Sequence, residues 1–277
     1  RHDVGDKAGA VEMSDIPAFS MSADALVAFA NRLGDLARDA IRPHFRKRIE
    51  IESKADASPV TIADRAAEAA MRQAIEAEYP DHGIYGEEYG HARPDAPWQW
   101  ILDPIDGTKS FVTGLPIFGT LIALTYEGQP VLGVIDQPIL SDRWLGALGR
   151  PTTYNGQPVR ANTGTELSGA AVMTTYVDLF TDSESAAFNR LRKACRLNRM
   201  SGDCIAYAMI PAGFADIVLD GTVQPYDYAA LIPVIEGAGG LITDWEGRAL
   251  DTKSPARVLA AANPALHAAA REILSGA

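Results

Sequence analysis

Two aspartates stand three residues apart directly after a mainly apolar run, and this pattern limits what the chain can fold into. Residues 98–102 predict a buried strand, and Asp103-Pro-Ile-Asp-Gly-Thr108 follows at once. A strand that ends this way brings the carboxylates of Asp103 and Asp106 and the hydroxyl of Thr108 into one turn. Hard divalent cations bind oxygen ligands packed in this manner, and buried carboxylates repel each other unless a cation neutralises them. The motif therefore predicts metal-assisted chemistry.

The composition restricts the class of protein further. With 277 residues, of which 47% are apolar and 22% charged, the chain is long enough for one large domain or two moderate ones. Its net charge of −11 disfavours nucleic acid as a partner. The sequence contains no apolar run long enough to cross a bilayer. We therefore predict a protein whose partners include neither nucleic acid nor a membrane.

The cysteines and histidines do not form a recognisable motif. Cys195 and Cys204 match neither a zinc spacing nor a disulfide framework, which is typical of free thiols in a reducing cytoplasm. The five histidines are scattered and include no pair at metal-binding spacing. The sequence therefore disfavours zinc catalysis and predicts a cytoplasmic location.

Helical and strand patterns alternate along most of the chain and predict a layered α/β architecture. Ser22 is expected to cap the first helix and Pro43 to end it, and the pair Glu127-Gly128 predicts a hairpin. Helices are predicted at residues 22–42, 62–79, 184–194, 205–212, 227–236 and 264–274, and strands at 98–102, 120–126, 130–136, 170–174, 215–219, 241–244 and 258–261.

The predicted domain organisation has three parts. Residues 1–12 are polar and without periodicity, and are interpreted as a tail or an expression remnant, with Met13 as a plausible natural start. Residues 13–148 form an N-terminal half that carries most of the candidate ligands, and residues 149–277 form a C-terminal half that carries Asp227. The segment 149–165, rich in Gly, Pro, Thr and Asn, is predicted to be a connector.

Two further acids could complete the metal site. Glu87 lies in Gly86-Glu87-Glu88, shortly before the aspartate-bearing strand, and Asp227 opens a predicted helix. If both converge on Asp103 and Asp106, the four carboxylates form an oxygen-only site that suits Mg²⁺ and leaves room for phosphate. Asp227 could equally act as a helix cap, and both interpretations stay open at this stage.

The turn after Asp106 also has the features of an anion site. Gly107 lets the backbone approach a ligand closely, and backbone N–H groups in such a turn can bind an anion beside the hydroxyl of Thr108. A metal and an anion site together predict phosphoryl chemistry, in which metal ions stabilise the attacking and leaving oxygens.

These motifs resemble those of the inositol monophosphatase superfamily. Gly86-Glu87-Glu88, Asp103-Pro-Ile-Asp-Gly-Thr108, Tyr226-Asp227 and Glu236-Gly-Ala-Gly-Gly240 occur in the order of that family, and the similarity covers about residues 22–275. The resemblance implies a mixed α+β protein with a five-layer αβαβα sandwich, often found as a homodimer. It also implies a magnesium-dependent, lithium-sensitive phosphatase that acts on a small phosphate monoester.

The resemblance assigns expected roles to single residues. It implies two or three Mg²⁺ ions held by the carboxylates and one backbone carbonyl of Glu87, Asp103, Ile105, Asp106 and Asp227. It implies that Asp64 and Thr108, with Glu87, activate the attacking water. Phosphate is expected at Asp106, Gly107 and Thr108, and Asp220 is expected to contact the substrate. Lys54 would belong to a mobile loop over the metals.

Four departures from the inositol pattern resemble the histidinol-phosphate phosphatase branch. They are Ser110-Phe111, Gly133-Val-Ile-Asp-Gln-Pro138, Ser201-Gly-Asp-Cys204 and Tyr226-Asp227. Histidinol phosphate carries an ammonium group and an imidazole that is partly protonated at neutral pH. Asp203 and Asp220 could pair with these groups, although Asp203 could instead cap the helix that follows it. The predicted reaction is hydrolysis of L-histidinol phosphate to L-histidinol and phosphate, in histidine biosynthesis.

Two alternatives remain at this stage. One is an inositol-1-monophosphatase, or a broad sugar or nucleotide monophosphatase, of the same fold. The other is a non-catalytic regulatory or binding protein that kept the fold. The intact set of candidate catalytic residues disfavours the second alternative, because a protein without catalysis is expected to have lost at least one of them; the set comprises Asp64, Glu87, Asp103, Asp106, Thr108 and Asp227.

Overall fold

The computed structural model describes residues 16–48, 51–53 and 59–276. The tail predicted at residues 1–12 and the candidate loop residue Lys54 lie outside the described residues. The helices are α1 (Pro17–Ile41), α2 (Ile62–Glu78), α3 (Thr108–Val112), α4 (Asp182–Ala194), α5 (Asp203–Ala208), α6 (Pro225–Tyr228), α7 (Leu231–Gly237) and α8 (Pro264–Ser275).

The strands form two large sheets and one small ribbon. The strands are β1 (Ile51–Ser53), β2 (Pro59–Thr61), β3 (Gly83–Gly86), β4 (Gly90–Ala92), β5 (Trp98–Asp106), β6 (Gly119–Tyr126), β7 (Gln129–Gln137), β8 (Asp142–Ala147), β9 (Arg150–Tyr154), β10 (Gln157–Pro158), β11 (Ala171–Thr174), β12 (Leu197–Met200), β13 (Ile217–Val223), β14 (Leu241–Asp244) and β15 (Ala256–Ala261). The ribbon pairs β1 with β2.

The first sheet is almost entirely antiparallel, and the second is mixed. The first sheet has the order β10-β9-β8-β7-β6-β5-β3-β4, and only β3 and β5 run parallel to each other. The second has the order β12-β11-β13-β15-β14, in which β11 runs parallel to both of its neighbours and β15 antiparallel to both of its own. A register shift in β5 and another in β13 mark bulges, and both bulges lie next to candidate site residues.

The helices and sheets stack in five layers. Helices α1 and α2 cover one face of the first sheet, while α5, α6 and α7 lie between the two sheets. Helices α4 and α8 cover the outer face of the second sheet. Three hydrophobic clusters fill the spaces between these layers. The mixed α+β fold with a layered sandwich, predicted from the resemblance, is therefore confirmed.

Apolar residues at helical spacing explain which helix faces are buried. In α2, Ala63, Ala67, Met71 and Ile75 recur every four residues and are all fully buried against the first sheet. The same spacing recurs in α8, where Leu266, Ala270 and Leu274 pack on the second sheet. Along the described part of the chain, no helix combines the length and the apolar character needed to cross a membrane.

The structure confirms the hairpin predicted at Glu127-Gly128, and it corrects the connector predicted at 149–165. Glu127 and Gly128 have φ angles of 49° and 83°, as a tight two-residue hairpin turn requires. Asn155 and Gly156 have similar angles of 47° and 79°, and they join β9 to β10 at the edge of the first sheet. The Asn-Gly signal was overlooked because the segment is rich in residues typical of loops. The division at residue 148 stays a prediction, although the first sheet continues to Pro158.

Two helix boundaries also differ from expectation. Helix α1 begins at Pro17, so Ser22 lies inside the helix and does not cap it. Proline at the first helical position has its φ angle preset for a helix and lacks an N–H that would otherwise be unpaired, which explains the earlier start. The helix predicted at 227–236 is divided into α6 and α7, so Asp227 is the third residue of α6 rather than a residue that opens a helix.

A close contact at Gly133 ties the first sheet to the segment that carries Asp227. A Cβ atom at Gly133 in β7 would lie 2.0 Å from the backbone carbonyl oxygen of Ala230, between α6 and α7. We predict that Gly133→Ala lowers the free energy of unfolding by about 1–3 kcal/mol, because the α6–α7 segment must move away from the sheet.

Urea denaturation measures this effect. Gly164→Ala is the matched control, since among the described residues no heavy atom beyond the two chain neighbours lies within 4 Å of a Cβ atom at that position. Equal stability of the two variants would contradict the close packing described here.

Candidate active site

A bulge in β5 places Asp103 and Asp106 on the same side of the first sheet. Asp103 pairs with Leu121 and Asp106 with Gly119, so three steps along β5 oppose two steps along β6. In a regular strand, residues three apart point to opposite faces. The extra residue of the bulge reverses this alternation at Asp106, and the two carboxylates converge.

Asp227 completes a group of three acids. Oxygen atoms of Asp103, Asp106 and Asp227 lie within 4.8 Å of one another. Asp227 also accepts the backbone N–H of Gln224 at 2.7 Å, which is a capping contact at the start of α6. Asp227 therefore contributes both to the cap and to the acidic group, and its role as a metal ligand stays a prediction.

The chemistry of this three-acid group fits a hard divalent cation. Asp103 Oδ1 is buried and has no hydrogen-bond donor among the described residues. Burial, and then the nearby charges of Glu87, Asp106 and Asp227, raise the pKa of Asp103 well above its usual range. Burial raises the pKa of Asp227 to about 7, although the hydrogen bond from the backbone of Gln224 lowers it. A cation would favour the ionised form of all three and supply the missing partner of Asp103 Oδ1.

Glu87 lies beside the three-acid group rather than within it. It occupies the turn between β3 and β4, and its backbone N–H donates to the carbonyl of Leu102 at 3.1 Å. Its charge raises the pKa of both Asp103 and Asp64, although burial is the larger cause at each. Its charge also raises the pKa of Asp227, so the structure brings Glu87 to the edge of the site.

Asp64 and Thr108 meet within hydrogen-bond distance of each other. The N–H and the hydroxyl of Thr61 donate to Asp64 Oδ2 at 2.8 and 2.6 Å, in a capping box that begins α2. The Thr108 hydroxyl lies 3.1 Å from the carbonyl oxygen of Ile105 and 3.5 Å from Asp64 Oδ1. Asp64, Ile105 and Thr108 therefore lie close together.

The side chain of Asp203 packs against Gly107 and does not cap α5. Its carboxylate oxygen Oδ2 accepts the hydroxyl of Ser110 at 2.8 Å, and a Cβ atom at Gly107 would lie 2.8 Å from its Cγ. Gly202 is the N-cap of α5, without a side-chain bond, and Asp203 is the first helical residue. The capping interpretation of Asp203 is therefore wrong. Burial raises its pKa to about 6, with the Ser110 bond acting in the opposite direction.

Asp220 has a full set of donors from the protein itself. It accepts bonds from the hydroxyl groups of Thr174 and Tyr207 at 3.1 and 2.8 Å, and from the N–H and hydroxyl of Thr175 at 2.7 and 3.2 Å. It is 4% exposed and precedes the bulge in β13. These contacts favour a structural role, in which Asp220 fixes the segments that line the site.

A cavity of about 190 Å³ joins these groups. The acids Asp106, Asp203, Asp220 and Asp227 all contribute to its wall. The lining also includes the aromatic and apolar side chains of Tyr176, Leu179, Tyr207 and Val223. The Lys109 ammonium group lies 4.5 Å from the centre of the Tyr176 ring. The cavity thus offers both acidic and apolar side chains to one small molecule.

Sequence reasoning missed several of these lining residues. Lys109, Tyr176 and Leu179 belong to loops or to the surface of a short helix, where no periodic pattern marks them. Tyr207 could have been found, because it lies four residues after Asp203 on one face of α5. The sequence also did not show that the backbone N–H of Cys204 donates to Asp106 Oδ2. Both cysteines are free, as predicted.

The order of these motifs and the layered fold can be compared with known proteins. A family model described as the inositol monophosphatase family matches residues 22–276. The chain belongs to the inositol monophosphatase family. It is therefore a member of a phosphatase family whose enzymes are generally magnesium-dependent, and a phosphate monoester substrate fits that family.

Named relatives include a bifunctional phosphatase and two histidinol-phosphatases. The chain is 49% identical over 227 residues to the bifunctional phosphatase IMPL2, chloroplastic, of Arabidopsis thaliana, covering 81% of this chain and 66% of that protein. It is 39% identical over 204 residues to the histidinol-phosphatase of Chlorobaculum parvum, covering 73% and 79% of the two chains. It is 36% identical over 237 residues to the histidinol-phosphatase of Mycobacterium tuberculosis, covering 82% of this chain and 90% of that protein. The chain thus spans just under two thirds of the Arabidopsis protein.

Solved structures share the same fold. An inositol monophosphatase from Zymomonas mobilis superposes with a TM-score of 0.84 at 43% identity, covering 91% of this chain and 98% of that one. An inositol monophosphatase from Anabaena superposes with a TM-score of 0.81 at 26% identity, covering 92% and 97%. These superpositions confirm the fold that the motifs predicted.

The charge of the three-acid group makes a prediction for Asp103→Asn. In EDTA we expect this variant to melt at or above the wild-type temperature, because it removes a buried acid whose ionisation the neighbouring carboxylates oppose. Excess Mg²⁺ should raise the melting temperature of the wild type by several degrees, since binding to the folded state alone stabilises it. The melting temperature of Asp103→Asn should change little when Mg²⁺ is added.

Thermal denaturation with and without Mg²⁺ measures both effects. Asp95→Asn, at an exposed position in the loop before β5, is the control and should respond like the wild type. A full Mg²⁺ response in Asp103→Asn would remove this residue from the candidate ligands.

Proposed function

We propose that the protein is a Mg²⁺-dependent phosphatase that hydrolyses L-histidinol phosphate to L-histidinol and phosphate. The observation that carries the proposal is the cavity that links the three-acid group to Asp203. A phosphate bound at the three-acid group would place the remainder of the substrate in the cavity, near Asp203 and the apolar lining residues. The relatives named histidinol-phosphatase support the same substrate.

The metal would be held by oxygen ligands only. The proposed ligands are Asp103, Asp106 and Asp227, with Glu87 at the edge and the backbone carbonyl of Ile105. Bound Mg²⁺ would neutralise these acids and lower the cost of placing a phosphate and an attacking water among them. We propose two or three ions for each site, because the family resemblance implies that number.

Asp64 and Thr108 are proposed to orient and deprotonate the attacking water. The Thr108 hydroxyl has a single hydrogen, which can point to Ile105 or to Asp64 but not to both. Asp64 Oδ2 is already held by Thr61, which leaves Oδ1 to accept a proton. The water oxygen attacks phosphorus as Asp64 takes its proton, and the bond to the alcohol oxygen of the substrate breaks in line. That oxygen takes a proton from solvent water to leave as L-histidinol, and Asp64 returns its proton to solvent.

Asp203 is proposed to recognise the positive charge of the substrate. It is 5% exposed and lines the cavity, and its pKa of about 6 means that a bound cation would favour its ionised form. The hydroxyl groups of inositol would not stabilise the charged form in this way. Lys109 lies near enough for its charge to lower the pKa of Asp203, so it would favour ionisation before the substrate arrives.

The experiment that tests the substrate is phosphate release with Mg²⁺, with L-histidinol phosphate and myo-inositol 1-phosphate compared in parallel. We expect a strong preference for L-histidinol phosphate in kcat/KM. A preference for myo-inositol 1-phosphate would keep the proposed metal chemistry and overturn the proposed substrate. That second candidate is favoured by the 43% identity to the inositol monophosphatase of Zymomonas mobilis.

A pair of variants separates recognition from structure. We predict that Asp203→Asn lowers kcat/KM for L-histidinol phosphate by about tenfold to a hundredfold, the usual loss for one charge-assisted contact, and affects a neutral sugar phosphate less. Asp220→Asn should lower both activities alike, because its four donors come from the protein. Steady-state kinetics on both substrates measures the difference. Equal losses in Asp203→Asn would leave that residue with a structural role.

Three further expectations accompany the proposal. We propose that the protein forms a homodimer, is inhibited by lithium and acts in the cytoplasm. The first two rest on the family resemblance, and the third rests on the pattern of cysteines in the sequence. Retention of all six candidate catalytic residues supports catalysis over a purely regulatory role.

A further inference from the structure

Glu68 is a fully buried carboxylate that the proposed chemistry does not use. It lies four residues after Asp64 on α2, so both acids are on the same face of the helix and both are 0% exposed. Asp64 reaches the candidate active site directly. Glu68 contacts instead the turn between β3 and β4, in which Glu87 is located.

Both oxygen atoms of the Glu68 carboxylate accept hydrogen bonds from the backbone of that turn. Its Oε2 atom accepts the backbone N–H of Glu88 at 2.7 Å, and its Oε1 atom accepts that of Tyr89 at 3.1 Å. Buried carboxylates are costly unless such donors satisfy them. The two N–H groups belong to the residues directly after Glu87, so the position of this carboxylate determines where the turn lies.

Arg72 fixes Glu68 and extends the contact. Its Nε atom donates to Glu68 Oε1 at 2.7 Å, and its Nη2 atom donates to the carbonyl oxygen of Gly90. The side chain of Arg72 is 13% exposed and that of Glu68 is 0% exposed, so the pair is largely shielded from water. Arg72 thus ties α2 to the far end of the same turn.

Gly86, the residue directly before Glu87, leaves space for the Glu68 carboxylate. A Cβ atom at Gly86 would lie 1.9 Å from Glu68 Oε1, so any other residue there would displace it. Gly86 therefore allows Glu68 to reach the backbone of the turn. On the opposite side, the N–H of Glu87 donates to Leu102 in β5, one residue before Asp103. The turn is held between α2 and the strand that bears the three-acid group.

We propose that Glu68, held by Arg72, is a positioning residue that fixes Glu87 against Asp103 and so sets the affinity of the site for Mg²⁺. The inference rests on the proposed metal site. Partners of this kind, which orient a ligand without touching the metal, typically change metal affinity tenfold to a hundredfold when they are replaced. Glutamine at position 68 keeps the size of the side chain, but its NH₂ group would face an N–H donor or Arg72.

The test is a Mg²⁺ titration of Glu68→Gln, with Glu76→Gln as the matched control. Glu76 lies on the same helix but is exposed. We expect the Mg²⁺ concentration for half of the maximal thermal shift to rise about tenfold in Glu68→Gln, while kcat at saturating Mg²⁺ changes by less than about threefold. Glu76→Gln should match the wild type in both measurements.

Other outcomes distinguish the possible failures. A lower melting temperature in EDTA, combined with an unchanged Mg²⁺ midpoint, would show that Glu68 is merely structural and would overturn the inference. Absence of any Mg²⁺ response in the wild type would overturn the proposed metal site itself. If Glu68→Gln does not fold, Arg72→Lys replaces it. That variant keeps the charge but loses one of the two donor contacts, so we expect a midpoint raised by roughly threefold, and an unchanged midpoint overturns the inference.

Discussion

Repulsion among buried carboxylates is the constraint on which the arrangement of this site depends. Asp103, Asp106 and Asp227 lie within 4.8 Å of one another in the interior, with Glu87 beside them. Without a cation, burial raises the pKa of all three and the charges of neighbouring carboxylates raise it further, so these acids tend to hold protons. A fold that keeps them together must supply rigid support, and a cation would convert the repulsion into binding energy. The arrangement is therefore more consistent with a metal centre than with stability alone.

The support comes from three different elements, each fixed by a local feature. The bulge in β5 aims Asp103 and Asp106 to one side, the capping contact of Asp227 with Gln224 fixes the start of α6, and α2 presents Asp64 and Glu68 one turn apart. Close packing then joins these elements, since Gly133 allows the α6–α7 segment to rest on the first sheet. Stability of the core and geometry of the site are thus linked through the same contacts.

The sequence predicted the types of residue at the site better than their surroundings. The Asp103-Pro-Ile-Asp motif and the hairpin at Glu127-Gly128 were predictable because local patterns encode them, whereas the five-layer fold was predictable from the resemblance to the family. The roles of Asp203 and Asp220 were not, because each depends on contacts between distant segments: Ser110 with Asp203, and Thr174, Thr175 and Tyr207 with Asp220. Glu68 was overlooked for the same reason, since a single buried acid in a helix has no signature in the sequence.

The most direct test of the central claim is the anomalous scattering of Mn²⁺ in a crystal of the protein. Mn²⁺ takes the same oxygen ligands as Mg²⁺ and reports its own position. We predict a peak within about 2.0–2.3 Å of carboxylate oxygens from Asp103, Asp106 and Asp227. A structure in which Mn²⁺ is absent from this group, and the acids share protons instead, would contradict the account.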